Sequence, residues 1–312
     1  MSVGAVKYET CIDWIKLEIC LSKPSNFWTV QNLLRSTLGL PEFVNLFVEA
    51  LDGGGGGAAS VFSFRLQNIN RIQELRMAIV ALDNKFGLTR IRPVAIEIAF
   101  DTYLTSPNIN ELAKLAVDRF RFITSAPKDD WYFYRRQGEN RAYTNTLIQR
   151  RDLIEHFQTS WQLTDTNNKE ADVRYHAYVK TRDNGQALDP SRYRARIEIT
   201  LQGEALPFSN MDELLAFNFS KLAKYFKFRR IADSVHPAAK YALTNWSGRQ
   251  HGRIGRYRRI VPSRVGKYSG ISLYRSATVA DDVLNTEVYE CLRKFTRKWR
   301  SNRDSADFPE DF

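Results

Sequence analysis

The sequence predicts an α+β fold with a largely antiparallel central sheet and helices packed on it. Runs rich in β-branched and apolar residues alternate with amphipathic stretches of helical period. Turn signals such as Asp183-Asn184-Gly185 join neighbouring strands, which indicates antiparallel hairpins. A strand–helix–strand order occurs over residues 10–101 and again over 102–201, and the two halves show no sequence identity to each other. This order indicates a pseudo-repeat of structure between the two halves.

Each helix and strand is predicted from the spacing of its apolar residues and from the residues that mark its ends. The first helix ends at Gly39 and the second at Gly87, because glycine commonly terminates helices. Five consecutive glycines at 53–57 are typical of a hairpin tip, and no Gly-Lys-Ser/Thr follows them to indicate a phosphate loop. The predicted strands are 12–21, 43–50, 60–66, 92–103, 131–135, 142–148, 173–180 and 193–201. The predicted helices are 26–38, 69–86, 108–122, 211–226 and 282–299.

Length and composition predict a folded protein with a substantial core rather than a disordered basic tail. The chain has 312 residues, of which 43% are hydrophobic and 12% aromatic, enough for a substantial core. We expect an α+β domain over 1–230, a basic segment and helix over 231–303, and a disordered acidic tail over 304–312.

The formal charge of +11 is concentrated in one segment. Residues 249–275 carry eight Lys or Arg and no Asp or Glu, which leaves +3 for the rest of the chain. Tyrosines and glycines interleave with these cations, a mixture that pairs with phosphates and stacks on bases. The predicted DNA-binding residues are Arg249, Arg253, Arg256, Arg258, Arg259, Arg264, Lys267 and Arg275. The helix 282–299 also has a basic face, although an ordinary amphipathic helix docked on the core fits it equally well.

Cysteine usage and hydropathy predict a cytoplasmic protein. Cys11, Cys20 and Cys291 form an odd set without Cys-x-x-Cys spacing, which favours a reducing compartment over disulfides or a zinc finger. No run of 18 apolar residues and no apolar signal segment occurs, so we expect neither export nor a membrane partner.

Strand alternation groups polar side chains on three of the predicted strands. Because successive side chains of a strand point to opposite faces, Glu97 and Asp101 share one face. By the same rule Arg196, Glu198 and Thr200 lie together on the strand 193–201. The strand 173–180 groups Arg174, His176, Tyr178 and Lys180.

These three faces would form a metal-dependent nuclease site if they met in one sheet. Glu97, Asp101 and Glu198 would then offer the oxygen ligands that Mg²⁺ or Mn²⁺ prefers. Tyr178 would attack a phosphate that the metal polarises, and Lys180 would stabilise the developing charge. Alternation alone favours ordinary amphipathic strands whose polar residues face solvent. A lone His176 is as typical of a surface residue as of a metal ligand or a catalytic acid or base.

The same residues carry a resemblance to a known family. Residues 87–90 (Gly-Leu-Thr-Arg), 96–101, 176–180 and 196–201 together resemble the rolling-circle initiators of small staphylococcal plasmids. Their replication initiation factor family also includes filamentous phage initiators and some relaxases. The resemblance implies metal ligation by Glu97, Asp101 and Glu198, with Tyr178 as nicking nucleophile. Tyr175 and Tyr193 lie nearby as alternatives.

The resemblance implies a DNA replication initiator. It would nick one strand of an origin with Mg²⁺ or Mn²⁺, becoming 5′-linked through Tyr178 and leaving a free 3′-hydroxyl. Its implied partners are origin DNA, a host helicase and a second copy in a homodimer. Two alternatives remain open from sequence: a sequence-specific DNA-binding protein without nicking activity, and a relaxase of a mobile element. An RNA-binding protein is a weaker third, since no RRM aromatic motif is present.

Overall fold

The structure of the chain is a computed structural model. It divides into two compact units, and three strands run from one unit into the other. Unit 1 comprises Met1–Thr10, Ala99–Ile199 and Lys221–Cys291, and unit 2 comprises Cys11–Ile98, Thr200–Ser220 and Leu292–Phe312. The structure describes residues 6–41, 44, 46–53, 57–105, 108–123, 132–135, 154, 157, 161–166, 168–237, 240 and 277–301.

The predicted α+β class with a large antiparallel sheet is confirmed. Among the described residues, eight strands form the main sheet, in the order β2-β3-β1-β4-β10-β7-β6-β5, and two further sheets pair β8 with β9 and β11 with β12. The described strands are β1 (Val6–Ser25), β2 (Phe47–Ala50), β3 (Ala59–Gln67), β4 (Leu88–Leu104), β5 (Tyr132–Arg135), β6 (Trp161–Thr164), β7 (Val173–Lys180), β8 (Arg182–Asp183), β9 (Gln186–Ala187), β10 (Arg194–Gln202), β11 (Arg229–Ile231) and β12 (Thr278–Ala280). The described α-helices are α1 (Phe27–Thr37), α2 (Ile72–Phe86), α3 (Ile109–Phe122), α4 (Met211–Leu215) and α5 (Asp282–Arg300).

Unit 2 has a β-α-β-β-α-β arrangement with strand order β2-β3-β1-β4. Asn26 caps α1 by accepting a hydrogen bond from Thr29 N, and α1 packs against α2. Gly87 ends α2 at φ 69°, and a Cβ there would collide with the Ser22 hydroxyl of β1. Ser22 N donates to Gly87 O at 2.8 Å, so the close approach of the two backbones requires a glycine.

Unit 1 contains the remaining strands of the main sheet and α3. Within it the strand order is β4-β10-β7-β6-β5, and α3 contacts β7. The apolar face of α3 is fully buried, and Asn108 caps its first turn by accepting from Asn110 N. The Arg119 guanidinium lies over the rings of Tyr8, Phe100 and Phe228, and burial lowers its pKa.

One predicted helix is divided in the structure. The predicted 211–226 helix consists of α4 and a 3-10 helix, Phe219–Tyr225. The Asn218 side chain accepts from Ser220 N, and Phe219 N donates to Thr296 Oγ1 instead of to a helical carbonyl. These two hydrogen bonds replace helical ones and explain the break.

The C-terminal helix is amphipathic, as its sequence predicts. Val288, Leu292, Phe295 and Trp299 are buried, whereas the basic residues of α5 between them are exposed. The predicted strand 142–148, the basic segment 249–275 and the tail 304–312 lie outside the described residues. Within the described part of the chain, every helix is too short or too polar to cross a lipid bilayer.

Candidate functional site

The predicted polar strands are present, and their carboxylates are buried. The three strands expected at 92–103, 173–180 and 193–201 correspond to β4, β7 and β10. Glu97, Asp101 and Glu198 are each at most 5% exposed, so the interpretation of these carboxylates as solvent-facing is wrong. Burying a charged group without a partner is costly, and each carboxylate accordingly has polar partners.

Tyr178 and Glu198 form the central contact of the site in unit 1. The Tyr178 hydroxyl donates to Glu198 Oε1 at 2.5 Å, and both side chains are buried. His176 lies two residues before Tyr178 on the same face of β7, and its Nδ1 is 3.9 Å from Glu198 Oε2. One carboxylate therefore contacts a phenol through one oxygen and approaches an imidazole through the other.

Asp101 is held by two arginines of β10. Arg196 donates from Nε to Oδ1 and from Nη2 to Oδ2, both at 2.6 Å, and Arg194 Nε donates to Oδ2 at 3.1 Å. Burial raises the pKa of Asp101, but the charge and hydrogen bonds of Arg196, with the charges of Arg194 and Lys180, hold that pKa below its ordinary value. Asp101 is thus held toward its anionic form, and both of its oxygens already accept hydrogen bonds from arginines.

Arg196 also connects Asp101 to the central contact. Its Nη1 donates to Glu198 Oε1 at 3.3 Å, the same oxygen that accepts from Tyr178. A guanidinium with a fixed planar fork can satisfy two carboxylates at once in this way. Glu198 Oε1 therefore accepts hydrogen bonds from both the phenol and the guanidinium.

Lys180 and Glu97 have different partners. Lys180 is buried and forms an ion pair with Asp183, with Nζ 3.0 Å from Oδ1. In unit 2, Glu97 Oε2 accepts a hydrogen bond from the Thr200 hydroxyl at 2.6 Å. Of the predicted site residues, the described hydrogen bonds and ion pairs therefore connect His176, Tyr178, Glu198 and Asp101.

A further buried carboxyl, that of Asp165, lies in the connection between β6 and β7. Asp165 follows β6, and its Oδ1 accepts from Tyr175 N at 2.9 Å. Its Oδ2 is buried and has no hydrogen-bond partner among the described residues, and burial raises the pKa of Asp165 to about 7. Unlike Asp101, this carboxyl has no guanidinium bound to it among the described contacts.

Arg194, Arg196 and Asp165 are functional-site residues to which the sequence patterns assigned no role. A signal for Arg196 was present, because alternation placed it on the face of Glu198. No sequence signal marked Asp165, because β6, which precedes it, has only four residues and was not predicted.

Comparisons with known proteins give no assignment of family. No family model matches the sequence, and no curated protein matches it. A rolling circle replication initiator protein from Geobacillus stearothermophilus is similar over 74% of this chain and 90% of that chain, with 15% identity and a TM-score of 0.34. Aspartate kinase from Synechocystis is similar over 78% and 49%, with 9% identity and a TM-score of 0.21. Both likenesses are too weak to carry an argument about function.

Proposed function

We propose that the chain is a DNA replication initiator that nicks one strand of an origin through Tyr178. The observation that supports this proposal is the buried hydrogen bond from the Tyr178 hydroxyl to Glu198. A phenol is a weak nucleophile until it loses its proton, and a carboxylate within hydrogen-bond distance is a suitable general base. The resemblance of 87–90, 96–101, 176–180 and 196–201 to replication initiation factors selects DNA as the substrate.

The proposed reaction transfers a phosphate from a deoxyribose to the enzyme. Glu198 accepts the Tyr178 proton as the phenolic oxygen attacks phosphorus. The new Tyr178 O–P bond forms as the P–O3′ bond breaks, and the departing 3′-oxygen takes a proton from water. The products are a 5′-phosphotyrosine and a free 3′-hydroxyl, which conserves the phosphodiester for later rejoining.

Asp101, Arg194 and Arg196 would position this chemistry rather than perform it. Arg196 contacts Glu198 Oε1 and is itself fixed by Asp101, so the carboxylate that receives the proton has one orientation. Lys180 lies two residues after Tyr178 on the same face, and its ammonium would stabilise charge on the phosphate oxygens. Asp101, which sequence reasoning offers as a metal ligand, is better suited to this positioning role.

A divalent metal would bind His176 and Glu198 in unit 1, where His176 Nδ1 lies 3.9 Å from Glu198 Oε2. Glu97, which the resemblance implies as a further ligand, stays a prediction. An imidazole in the ligand set fits Mn²⁺ better than Mg²⁺, because imidazole is a poor ligand for Mg²⁺. When bound, the ion supplies a Lewis acid at the scissile phosphate.

A covalent-adduct assay tests the proposal. The full chain is incubated with an origin single strand, with Mn²⁺ or with a chelator, and the protein–DNA adduct is resolved on a denaturing gel. We expect an adduct that requires metal and is lost in Tyr178→Phe. Tyr193→Phe removes a nearby phenol outside the site and should form the adduct as the parent does.

A second comparison of variants tests the role of the base separately from that of the nucleophile. Glu198→Gln should slow adduct formation about 100- to 10,000-fold while Tyr178 remains in place. Equal adduct yield in Tyr178→Phe would refute the nucleophile assignment, and mapping the linked peptide would then test Tyr175. Duplex binding without any adduct under all metal conditions would favour the sequence-specific DNA-binding protein.

A further inference from the structure

One face of the unit 2 sheet places aromatic and cationic side chains in register. In this unit α1 packs against α2, and β3 pairs with both β1 and β2. Leu17 and Ile19 of β1 are buried, and the even-numbered residues of β1 lie on the opposite face of the sheet. Across the strands, Lys16 of β1 pairs with Arg65 of β3, and Arg65 pairs with Phe47 of β2. Side chains at directly paired positions lie on the same face, so these three form one row.

Arg65 is the centre of a stacked group in this row. Its guanidinium lies 4.1 Å from the Trp14 ring centroid and 5.7 Å from that of Phe47. Trp14 is buried, whereas Phe47 is 55% exposed. A planar cation and an exposed aromatic ring at adjacent positions provide two surfaces on which a flat ring could stack.

The neighbouring row supplies further cations. Arg90 and Arg92 of β4 both form ion pairs with Glu18 of β1, at 2.9 and 2.8 Å, and both arginine side chains are at least half exposed. Together with Lys16 and Arg65 they give this face four cations among the described residues, against Glu18 and Glu49 as the described anions. The surface therefore carries a net positive charge beside its aromatic group.

We propose that this face binds single-stranded nucleic acid. Bases would stack on Phe47 and on the Arg65 plane, while phosphates contact Lys16, Arg90 and Arg92. Unstacked bases expose the flat surfaces that such a row can contact, and a base pair inside a duplex does not. A four-stranded sheet with aromatic residues on its open face is a known platform for single strands. The inference does not depend on the nicking chemistry, since Phe47 and Arg65 are outside the candidate nuclease site.

Crosslinking locates the bound strand directly. The full chain carrying Tyr178→Phe, with chelator present, is irradiated with oligodeoxyuridine containing 5-iodouracil, and the linked peptides are identified by mass spectrometry. An oligouridine with the same photoreactive base forms a parallel arm that separates DNA from RNA. We expect linked peptides from β2 or β3. Crosslinks confined to other parts of the chain in both arms would overturn the proposal.

Binding of the variants provides an independent measurement. Phe47→Ala should weaken the affinity for a labelled oligothymidylate about tenfold, because one base loses its stacking surface. Arg65→Lys keeps the charge but loses the planar group, and should weaken it less than Phe47→Ala does. Lys16→Ala should reduce the salt slope by about 0.7.

Matched controls come from α2 in the same unit. Arg76 and Met77 are exposed there, so Arg76→Ala and Met77→Ala remove one cation and one apolar side chain elsewhere. Both controls should bind as the parent does. A Phe47→Ala variant that binds equally well, or that changes only the oligomeric state, would overturn the inference. A parent chain that binds single strands but forms no nick or adduct with any metal would refute the proposed function alone.

Discussion

Two ion pairs of the same kind occur in very different surroundings. In unit 1, Arg196 Nη2 lies 2.6 Å from Asp101 Oδ2, and the two side chains are 1% and 3% exposed. In unit 2, Arg92 Nη2 lies 2.8 Å from Glu18 Oε2, but the Arg92 side chain is 50% exposed. The geometry is similar, and the difference is the access of water to the guanidinium.

This difference determines what each pair does. Water screens the exposed pair and competes for its hydrogen bonds, so that pair contributes little to the free energy of unfolding. The buried pair cannot exchange its partners for water, and losing one leaves a charge in a medium of low dielectric constant. We therefore expect the buried group to be fixed in position, whereas the exposed cations remain available to a polyanion.

The largest expected effect is that of Arg196→Met. Without its guanidinium, Asp101 retains only the Arg194 contact in the described part of the site, and Glu198 loses a donor. We expect the free energy of unfolding to fall by about 3 to 5 kcal/mol, measured by urea denaturation. A loss below about 1 kcal/mol would mean that burial does not distinguish the two pairs.

A smaller, pH-dependent effect is expected for Asp165→Asn. The folded-state pKa of Asp165 is raised to about 7, so between pH 4 and pH 7 the folded chain retains a proton that the unfolded chain has lost. Rising pH therefore removes stability from the parent and not from the variant. From pH 4 to pH 8 the difference in unfolding free energy should move in favour of the variant by roughly 1 to 3 kcal/mol.

The control for this pH profile is an exposed aspartate. Asp172 lies in the connection before β7 and is exposed, so Asp172→Asn should reproduce the profile of the parent. Chemical denaturation at a series of pH values gives all three curves. Parallel curves for Asp165→Asn and the parent would contradict the assignment of a protonated carboxyl to this position.

The smallest expected effect is that of Arg92→Met. Glu18 keeps its ion pair with Arg90 and remains near solvent, so the free energy of unfolding should fall by less than about 1 kcal/mol. The difference should shrink further in 1 M salt, which screens exposed charges but not buried ones. A loss comparable to that of Arg196→Met would show that this face is less accessible than its exposure indicates.

Period and alternation were sufficient to predict the fold class and the polar faces of β4, β7 and β10. They could not predict burial, because an alternating strand looks the same whether water or protein covers its polar face. Arg196 and Glu198 were placed on one face correctly, but nothing local indicates that Arg196 binds Asp101, 95 residues away. Partner choice depends on strand order, which short-range patterns do not specify.

The least predictable parts are the short ones. The strand β6 has four residues, and its end positions Asp165, whose raised pKa comes from burial rather than from a neighbouring charge. The break between α4 and Phe219 depends on Thr296, far along the chain. Both features arise from tertiary contacts that override local preference.

The burial of Tyr178 has a consequence for how often the chain would react. Its side chain is 2% exposed. In the proposed reaction, a phosphate would therefore reach the phenol only in conformations that open the site. The apparent dissociation constant of a strand then equals its intrinsic value divided by the open fraction. If bound nucleic acid stabilises the open form, strands that dissociate before the site opens would not be cleaved. Strands with a longer residence time would then be cleaved preferentially.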